Sequence, residues 1–328
     1  DEGPRVSVVH VLAPHAPWRL TPDLRVTPQS PEISTKNPDD EDGVRDTYQA
    51  FLHQLAATDR VVAEMIDDLK ASGRWDDTLL VVSADHGISF RASQPQRHTD
   101  FSDMGQSDDI FRVPLFVKYP GQRAGETSDC PVSNLDIVPT IVDVTDTQTS
   151  WQFDGVSLAG PCPTDRVREV RSATGETAVM SEDFQAVVAR VGVYDEMVDA
   201  DGPVERVVAV GRSAALIGTQ MPKTVVDDRV VSWTLTQRKS FDAVAGSRGT
   251  SAPGQVTGTI ELSRPLPSGT EGILAVSGRA AAVLGELSGA EGTVKFTAIL
   301  DHRALTPGPH TVQLWVRTPD GSLSRAPD

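Results

Sequence analysis

Short apolar runs alternate with polar stretches along the first 160 residues, and the runs have the lengths of strands and helices. Residues 6–12 and 79–82 are β-branched apolar runs, which are typical of buried strands. Over residues 51–69 the apolar positions recur at spacings of three, four and seven, which predicts an amphipathic helix. We predict that Asp46 caps this helix and that Gly73 ends it. A helix that leads directly into a strand predicts a parallel α/β sheet.

Two further elements follow in the same half of the chain. Residues 113–118 predict a strand, and the proline at position 114 favours the start of a strand or an edge strand. Residues 135–142 predict a short helix with Pro139 in its first turn, where the missing N–H is tolerated.

From about residue 165 the pattern changes to short β-rich segments separated by Gly, Ser and Pro turns. We predict a flexible connection at 240–255 and two domains, 1–163 and 164–328, the second mainly β. The predicted strand segments of this second domain are 206–210, 258–262, 273–276, 294–300 and 311–316.

The net charge of the chain argues against two classes of binding partner. The 328 residues carry 30 basic and 46 acidic side chains, a formal charge of −16, which argues against nucleic acid or an anionic membrane surface as a partner. No apolar run approaches the ~20 residues that span a bilayer. The chain begins at Asp1 shortly before an apolar run, so we expect a mature or excised segment rather than a precursor with a signal peptide.

Cys130 and Cys162 are the two cysteines, and each stands beside a proline. Because neither belongs to a Cys-x-x-Cys pair, a zinc site built on thiolates is excluded. A disulfide between them and two unrelated free cysteines are both open interpretations.

The candidate chemistry lies just after the predicted strands. Asp85 and His86 follow the second strand and offer oxygen and nitrogen donors to a metal ion, and Gly87 is expected to let the chain turn away. His15 follows the first strand, and His98 lies in a polar loop 12 residues beyond His86. Because ligands bind at the carboxyl ends of strands in open α/β sheets, we expect these side chains to meet at one rim.

Read in order, four segments resemble the alkaline phosphatase superfamily and, within it, the sulfatase-like hydrolases. The segments are residues 9–18, residues 78–90 with Ala84-Asp85-His86-Gly87 inside them, residues 112–121 and residues 134–140. The resemblance extends to bacterial membrane-anchored sulfatase-like proteins, in which transmembrane helices precede an extracytoplasmic catalytic domain.

The resemblance implies an α/β fold, an alkaline-phosphatase-like α/β/α sandwich that is incomplete at its N-terminus and is followed by a smaller, mainly β domain. In the family the nucleophile, a threonine or a cysteine converted to formylglycine, lies well upstream of the segment that matches 9–18. This chain has no Cys-x-Pro-x-Arg pattern. We therefore expect the full-length protein to supply the missing N-terminal half and any membrane anchor, and this chain alone to lack turnover.

Residue by residue, the resemblance implies that Asp85 and His86 ligate a divalent metal. His98 matches a histidine that phosphoethanolamine transferases keep after Asp-His-Gly, and His15 would contact the transferred group or the leaving oxygen as a donor or general acid. A carboxylate with an imidazole favours zinc or manganese, with calcium as the alternative. The other histidines are interpreted as structural, at positions 10, 53, 302 and 310.

The expected function is metal-dependent hydrolysis or transfer of a sulfate or phosphate ester, outside the cytoplasm, on an anionic substrate. Two alternatives come from other classes. One is a pseudoenzyme that keeps the fold and binds an envelope partner without turnover. The other is a carbohydrate- or cell-envelope-binding module in which the β domain is the functional unit.

Overall fold

A computed structural model describes residues 5–172, 174–181, 184–198, 203–287 and 292–328. The chain forms two compact units, each made of several stretches of sequence. The first unit comprises Asp1–His10, Val62–Ser89 and Gln94–Arg190, and the second comprises Val11–Val61, Phe90–Ser93 and Val191–Asp328. The predicted domains 1–163 and 164–328 are defined as continuous segments, and that division stays a prediction.

The long helix predicted from the 51–69 pattern is present as α1, Glu41–Ala71. It ends as predicted, because Gly73 adopts a φ of +70° and its N–H donates to the carbonyl of Lys70 over 3.0 Å. Its start was predicted wrongly. The carboxylate of Asp40 accepts from the Gly43 N–H at the true start, whereas Asp46 is buried inside the helix.

The first unit contains a small two-stranded sheet. Strand β1, Leu80–Ser83, pairs with β2, Leu115–Lys118, and Leu80 lies opposite Lys118 while Ser83 lies opposite Leu115. Both strands were predicted, and β2 begins directly after Pro114 as expected. The predicted parallel sheet is wrong at this pair, because β2 returns antiparallel to β1.

The remaining elements of the first unit are short. The predicted helix near Pro139 is confirmed as α3, and Pro139 occupies its first turn. The bounds are α2 Asp108–Phe111, α3 Ile137–Val144, β3 Glu169–Arg171 and β4 Thr177–Val179. Helix α4, Gln185–Met197, follows; it begins in the first unit, and its residues from Val191 onward belong to the second. The helix α4 was not predicted in a region that the sequence presents as β-rich.

Residues 6–12 do not form the predicted buried strand. Val6, Val8 and Leu12 are between 67% and 89% exposed, and the segment has no regular secondary structure. A strand needs a hydrogen-bonded neighbour, and none of the described strands pairs with this segment. The apolar pattern therefore predicts a conformation that these residues do not adopt here.

The second unit is built around two antiparallel sheets, with strand orders β11-β10-β7-β8 and β5-β6-β9. Their inner faces share one apolar core, which includes Leu274 and Leu314 from one sheet and Val256 and Ile260 from the other. The bounds are β5 Val230–Leu235, β6 Gln255–Leu262, β7 Glu271–Val276, β8 Arg279–Glu286, β9 Gly292–Ile299, β10 Val312–Arg317 and β11 Leu323–Arg325.

Two predictions in this unit are wrong. The segment 206–210 was predicted as a strand, but its first three residues belong to a 3-10 helix, Val204–Val208. The 240–255 segment is not a flexible connection, because Phe241, Val244 and Ala252 are almost completely buried. Gly and Ser permit the tight turns of this segment, while its few apolar side chains fix it to the core.

The early part of the chain is also packed into this unit. Val26 forms a parallel bridge with Ser251, and the guanidinium of Arg25, which is buried, donates to the carbonyls of Ala245 and Leu305. Segment 19–27 is therefore held by hydrogen bonds to backbone more than 200 residues away in the sequence.

Candidate active site

Asp85 and His86 lie immediately after β1, where the strand ends. Their side chains lie side by side, with 3.8 Å between the Asp85 Oδ2 and the His86 Nε2. The Asp85 side chain is 86% exposed and that of His86 is 30% exposed, so both donors are accessible from solvent.

Local hydrogen bonds orient this pair. The Asp85 Oδ1 accepts from the His86 backbone N–H over 3.0 Å, and the His86 Nδ1 lies 2.7 Å from the Gly87 carbonyl oxygen. That carbonyl can only accept, so Nδ1 carries a proton, and in the neutral ring Nε2 has the lone pair. A carboxylate oxygen and an imidazole nitrogen are ligands that divalent metals use, and an Nδ1–H bonded to a carbonyl is the usual support for a ligating histidine. The pair therefore fits a divalent metal ion as two of its ligands.

Gly87 is needed at this position for a reason other than the predicted turn. Its backbone is not left-handed, but a Cβ here would lie 1.9 Å from the carbonyl oxygen of Asp109. The Gly87 N–H also donates to the Ile110 carbonyl over 2.7 Å. The glycine thus allows the 109–110 backbone to run directly beside the end of β1.

Asn134 supports the same strand end from another segment. Its Nδ2 donates to the Ala84 carbonyl over 2.8 Å, and its Oδ1 lies 2.9 Å from the hydroxyl of Ser83. The Ser83 hydroxyl also lies 2.9 Å from the Pro114 carbonyl, just before β2. Sequence reasoning did not single out Asn134, although it is the first residue of the family-like 134–140 segment.

The turn that carries Asn134 is fixed by a buried carboxylate. Asp136 is completely buried, accepts from the backbone N–H groups of Ser133 and Val156, and pairs with Arg166. Burial raises the pKa of Asp136, but the hydrogen bonds from Arg166 and these amides outweigh that effect and hold the pKa below its usual value.

A disulfide closes the segment around this turn. Cys130 and Cys162 are bonded, with 5.7 Å between their Cα atoms. Of the two interpretations left open by the sequence, the structure therefore supports the disulfide.

His98 is exposed in a turn, where its backbone N–H donates to the Pro95 carbonyl. Among the described residues, no three His, Cys, Asp or Glu side chains come close enough together to hold a metal ion. The structure therefore pairs Asp85 with His86 and does not bring His98 into a three-ligand cluster with them. A role for His98 stays a prediction.

His15 belongs to the second unit, whereas Asp85, His86 and His98 belong to the first. Its ring is exposed, and its Nδ1 contacts the carbonyl oxygen of Ala16. The expected meeting of His15 with the Asp85–His86 pair at one rim stays a prediction.

Comparison with known families finds a match in the segment that contains these residues. The family model described as Sulfatase matches residues 1–147, so this segment is similar to the sulfatase family. Proteins of this family generally use a divalent metal ion, often calcium, and the oxygen and nitrogen donors of the Asp85–His86 pair lie inside the matched segment.

Individual relatives agree with this match. The chain is 27% identical over 165 residues to an ulvan-active sulfatase from Formosa agariphila, which covers 48% of this chain and 32% of that protein. It is 34% identical over 122 residues to a choline-sulfatase from Rhizobium meliloti, covering 36% of this chain and 22% of that protein. The chain thus spans about a third or less of the length of these curated relatives.

Among solved structures, a phosphonate monoester hydrolase from Silicibacter pomeroyi is 28% identical, with a TM-score of 0.34. The match covers 41% of this chain and 27% of that chain. In the part of the chain that the structure describes, no helix has the length and apolar character needed to cross a membrane.

Proposed function

We propose that this chain is the later portion of the catalytic domain, with a β-rich accessory region, of a metal-dependent hydrolase or transferase of sulfate or phosphate esters. The observation that carries the proposal is the Asp85–His86 pair. A carboxylate oxygen and an imidazole nitrogen with a free lone pair lie 3.8 Å apart at a strand end, inside the segment that is similar to the sulfatase family.

Each residue has a stated part in this proposal. Asp85 and His86 hold the metal ion, and His98 is a candidate third ligand. A bound divalent ion supplies positive charge that offsets the charge on the ester oxygens. His15 donates a hydrogen bond or a proton to the transferred group or to the leaving oxygen. The substrate is an anionic ester, and the residues present favour neither sulfate nor phosphate.

The nucleophile and the remaining ligands belong, in this proposal, to the part of the full-length protein outside this chain. The length of the relatives supports it, because they are about three times longer than the matched segment or more. A complete alkaline-phosphatase-type sandwich is proposed for the full-length protein on the same ground.

The proposed metal is zinc or manganese, with calcium as the alternative. The imidazole favours the first two, because calcium prefers ligands that are all oxygen. The ligands that lie outside this chain will decide between these ions.

We propose an extracytoplasmic location. The Cys130–Cys162 disulfide supports it, since such bonds form and persist in oxidising compartments.

The test uses the natural full-length polypeptide that contains this chain. Metal content and turnover of p-nitrophenyl sulfate and p-nitrophenyl phosphate are measured for the wild type, Asp85→Ala, His86→Ala and Asp129→Ala. Asp129 is an exposed carboxylate of the same unit and serves as the matched control. We expect the first two variants to lose bound metal and at least ~100-fold in turnover, and the control to retain both.

Metal and turnover that persist unchanged in Asp85→Ala would refute the proposed site. A wild-type protein with neither metal nor turnover would instead favour the pseudoenzyme alternative.

A further inference from the structure

One buried side chain holds the loop that presents His15. Gln54, on α1, is 3% exposed. Its Nε2 donates to the His15 carbonyl over 2.7 Å, and its Oε1 accepts from the backbone N–H groups of Arg19 over 2.9 Å and Leu20 over 3.1 Å. A single amide therefore bonds both ends of the 15–20 loop.

The orientation of this amide is fixed by its partners. A carbonyl oxygen can only accept, and a backbone N–H can only donate, so the amide nitrogen must face His15 and the amide oxygen must face Arg19 and Leu20. No rotated arrangement satisfies all three groups. Gln54 is therefore specific for this loop conformation.

Trp18 anchors the middle of the same loop. Its indole Nε1 donates to the Pro14 carbonyl over 2.9 Å, and its ring packs against Phe51 at 6.4 Å and Phe90 at 5.7 Å between centroids. The loop is thus fixed in its middle by an aromatic anchor and across its ends by Gln54. The His15 ring, which is exposed, is the group that this rigid loop presents to solvent.

We propose that Gln54 is a positioning residue for the His15 imidazole. The proposal rests on the function proposed for His15. A proton donor must be held close to its working geometry before the substrate arrives, and a hydrogen bond to its own backbone carbonyl does this without touching its ring. Gln54 therefore acts through the His15 backbone and does not contact the ring.

The same helix offers a matched comparison. Gln49 is also 3% exposed, and its Nε2 donates to the Val207 carbonyl over 2.8 Å in the same unit. It is a buried glutamine bonded to distant backbone, but it has no bond to the 15–20 loop. A substitution at Gln49 reports the cost of losing a buried amide without disturbing His15.

The experiment uses this chain, labelled uniformly with ¹³C and ¹⁵N, with the His15 ring signals assigned by their absence in His15→Gln. Ring shifts, thermal stability and amide exchange are compared for the wild type, Gln54→Ala, Gln54→Glu and Gln49→Ala. In Gln54→Ala we expect shifted or broadened His15 ring signals and about tenfold faster exchange at Arg19 and Leu20. In Gln49→Ala we expect a lower melting temperature with unchanged His15 signals.

Gln54→Glu separates the donor side of the Gln54 amide from its acceptor side. Glutamate keeps the acceptor for Arg19 and Leu20 but replaces the donor to the His15 carbonyl, so His15 signals should change while exchange at residues 19 and 20 stays slow. The proposal is overturned if His15 signals in Gln54→Ala match the wild type, or if Gln49→Ala shifts them equally.

This readout is independent of the proposed function. If His15→Gln in the full-length protein retains full turnover while the His15 signals still depend on Gln54, the assignment of His15 fails and the positioning contact stands. If His15 has its proposed role and Gln54 positions it, Gln54→Ala in the full-length protein should lower kcat about 10- to 100-fold with little change in KM.

Discussion

The two units differ in where their recognisable chemistry and their apolar core lie. In the first unit, the buried residues that the structure describes are mostly small or polar: Ser89, Ser107, Asp108, Ile110, Asp136, Pro139, Thr140 and Met180. In the second unit, large apolar side chains are completely buried, among them Phe241, Ile260, Ile273, Leu274 and Leu314. The Asp85–His86 pair lies in the first unit, so the unit that carries the candidate site buries few large apolar side chains among its described residues.

The difference shows what each kind of sequence signal reports. The Asp-His-Gly segment indicates metal-binding chemistry, and it follows a strand that is only partly buried. The alternation of apolar residues in β6 indicates that one face of the strand packs against a second sheet, but it does not indicate a catalytic or binding residue. The following predictions test whether the two units depend on different forces, starting with the largest effect.

Replacement of Phe241 by alanine tests the apolar core of the second unit. Phe241 is 1% exposed, and its loss should cost about 4 kcal/mol in the free energy of unfolding. Urea denaturation of the chain measures this cost. Val231→Ala, at an exposed position, is the control and should change stability by less than about 0.5 kcal/mol. A small effect at Phe241 would restore the interpretation of 240–255 as a flexible connection.

Removal of the disulfide tests the first unit. Cys130 and Cys162 are 32 residues apart, and the chain-entropy model gives about 3–4 kcal/mol for closing such a loop. The Cys130→Ser/Cys162→Ser double variant should therefore unfold earlier in the first unit, while the transition of the second unit stays in place. Gln148→Ala, at an exposed position inside the 130–162 loop, serves as the control. Equal destabilisation of both units would contradict the claim that the two units depend on different forces.

A buried histidine makes the second unit sensitive to acid. His53 is 3% exposed on α1, and burial, with a smaller contribution from His302, lowers its pKa to about 3, although Asp301 and Asp23 act in the opposite direction. The unfolded chain therefore takes up this proton near pH 6.5, so stability is lost as pH falls below that value.

The size of this effect follows from the two pKa values. Between pH 7 and pH 5 the wild type should lose about 2 kcal/mol relative to His53→Gln. Denaturation of both proteins at the two pH values measures the difference. Taking the difference also cancels other buried groups, such as Asp46, whose pKa burial raises to about 6 despite Arg45. Parallel pH profiles for the two proteins would rule out a neutral His53.

The smallest predicted effect concerns the support of the Asp85–His86 pair. Asn134→Ala removes the bond to the Ala84 carbonyl and the contact with Ser83, and should cost about 1 kcal/mol. Amide exchange should accelerate at Asp85 and His86 and stay unchanged in the second unit. Asn37→Ala, on an exposed loop, is the control. Unchanged exchange at the end of β1 would show that Asn134 does not hold it.

The sequence predicted β1, β2, α3 and most of α1, because local periodicity and proline placement decide such elements. It failed where distant contacts decide. Residues 6–12 have strand-forming side chains but no paired strand, and Asp46 resembles a cap but lies inside a helix that begins at Glu41. The packing of segments 19–27 and 240–255 depends on contacts with residues far away in the chain.

The candidate site shows the same limit. The Asp85–His86 pair was identified because both residues are adjacent in sequence and follow one strand. Gln54 and Asn134 were missed, because each acts on backbone 34 to 50 residues away and neither stands in a chemically distinctive pattern. The second unit also includes residues 11–61, so a test of the β-rich region as a binding module must keep those residues.

The most direct test of the central claim is anomalous diffraction from crystals of the full-length protein grown with zinc or manganese. We predict a metal peak within bonding distance of the Asp85 carboxylate and the His86 Nε2, and its loss in His86→Ala. A metal peak at another site, with the Asp85–His86 pair unliganded, would contradict the account.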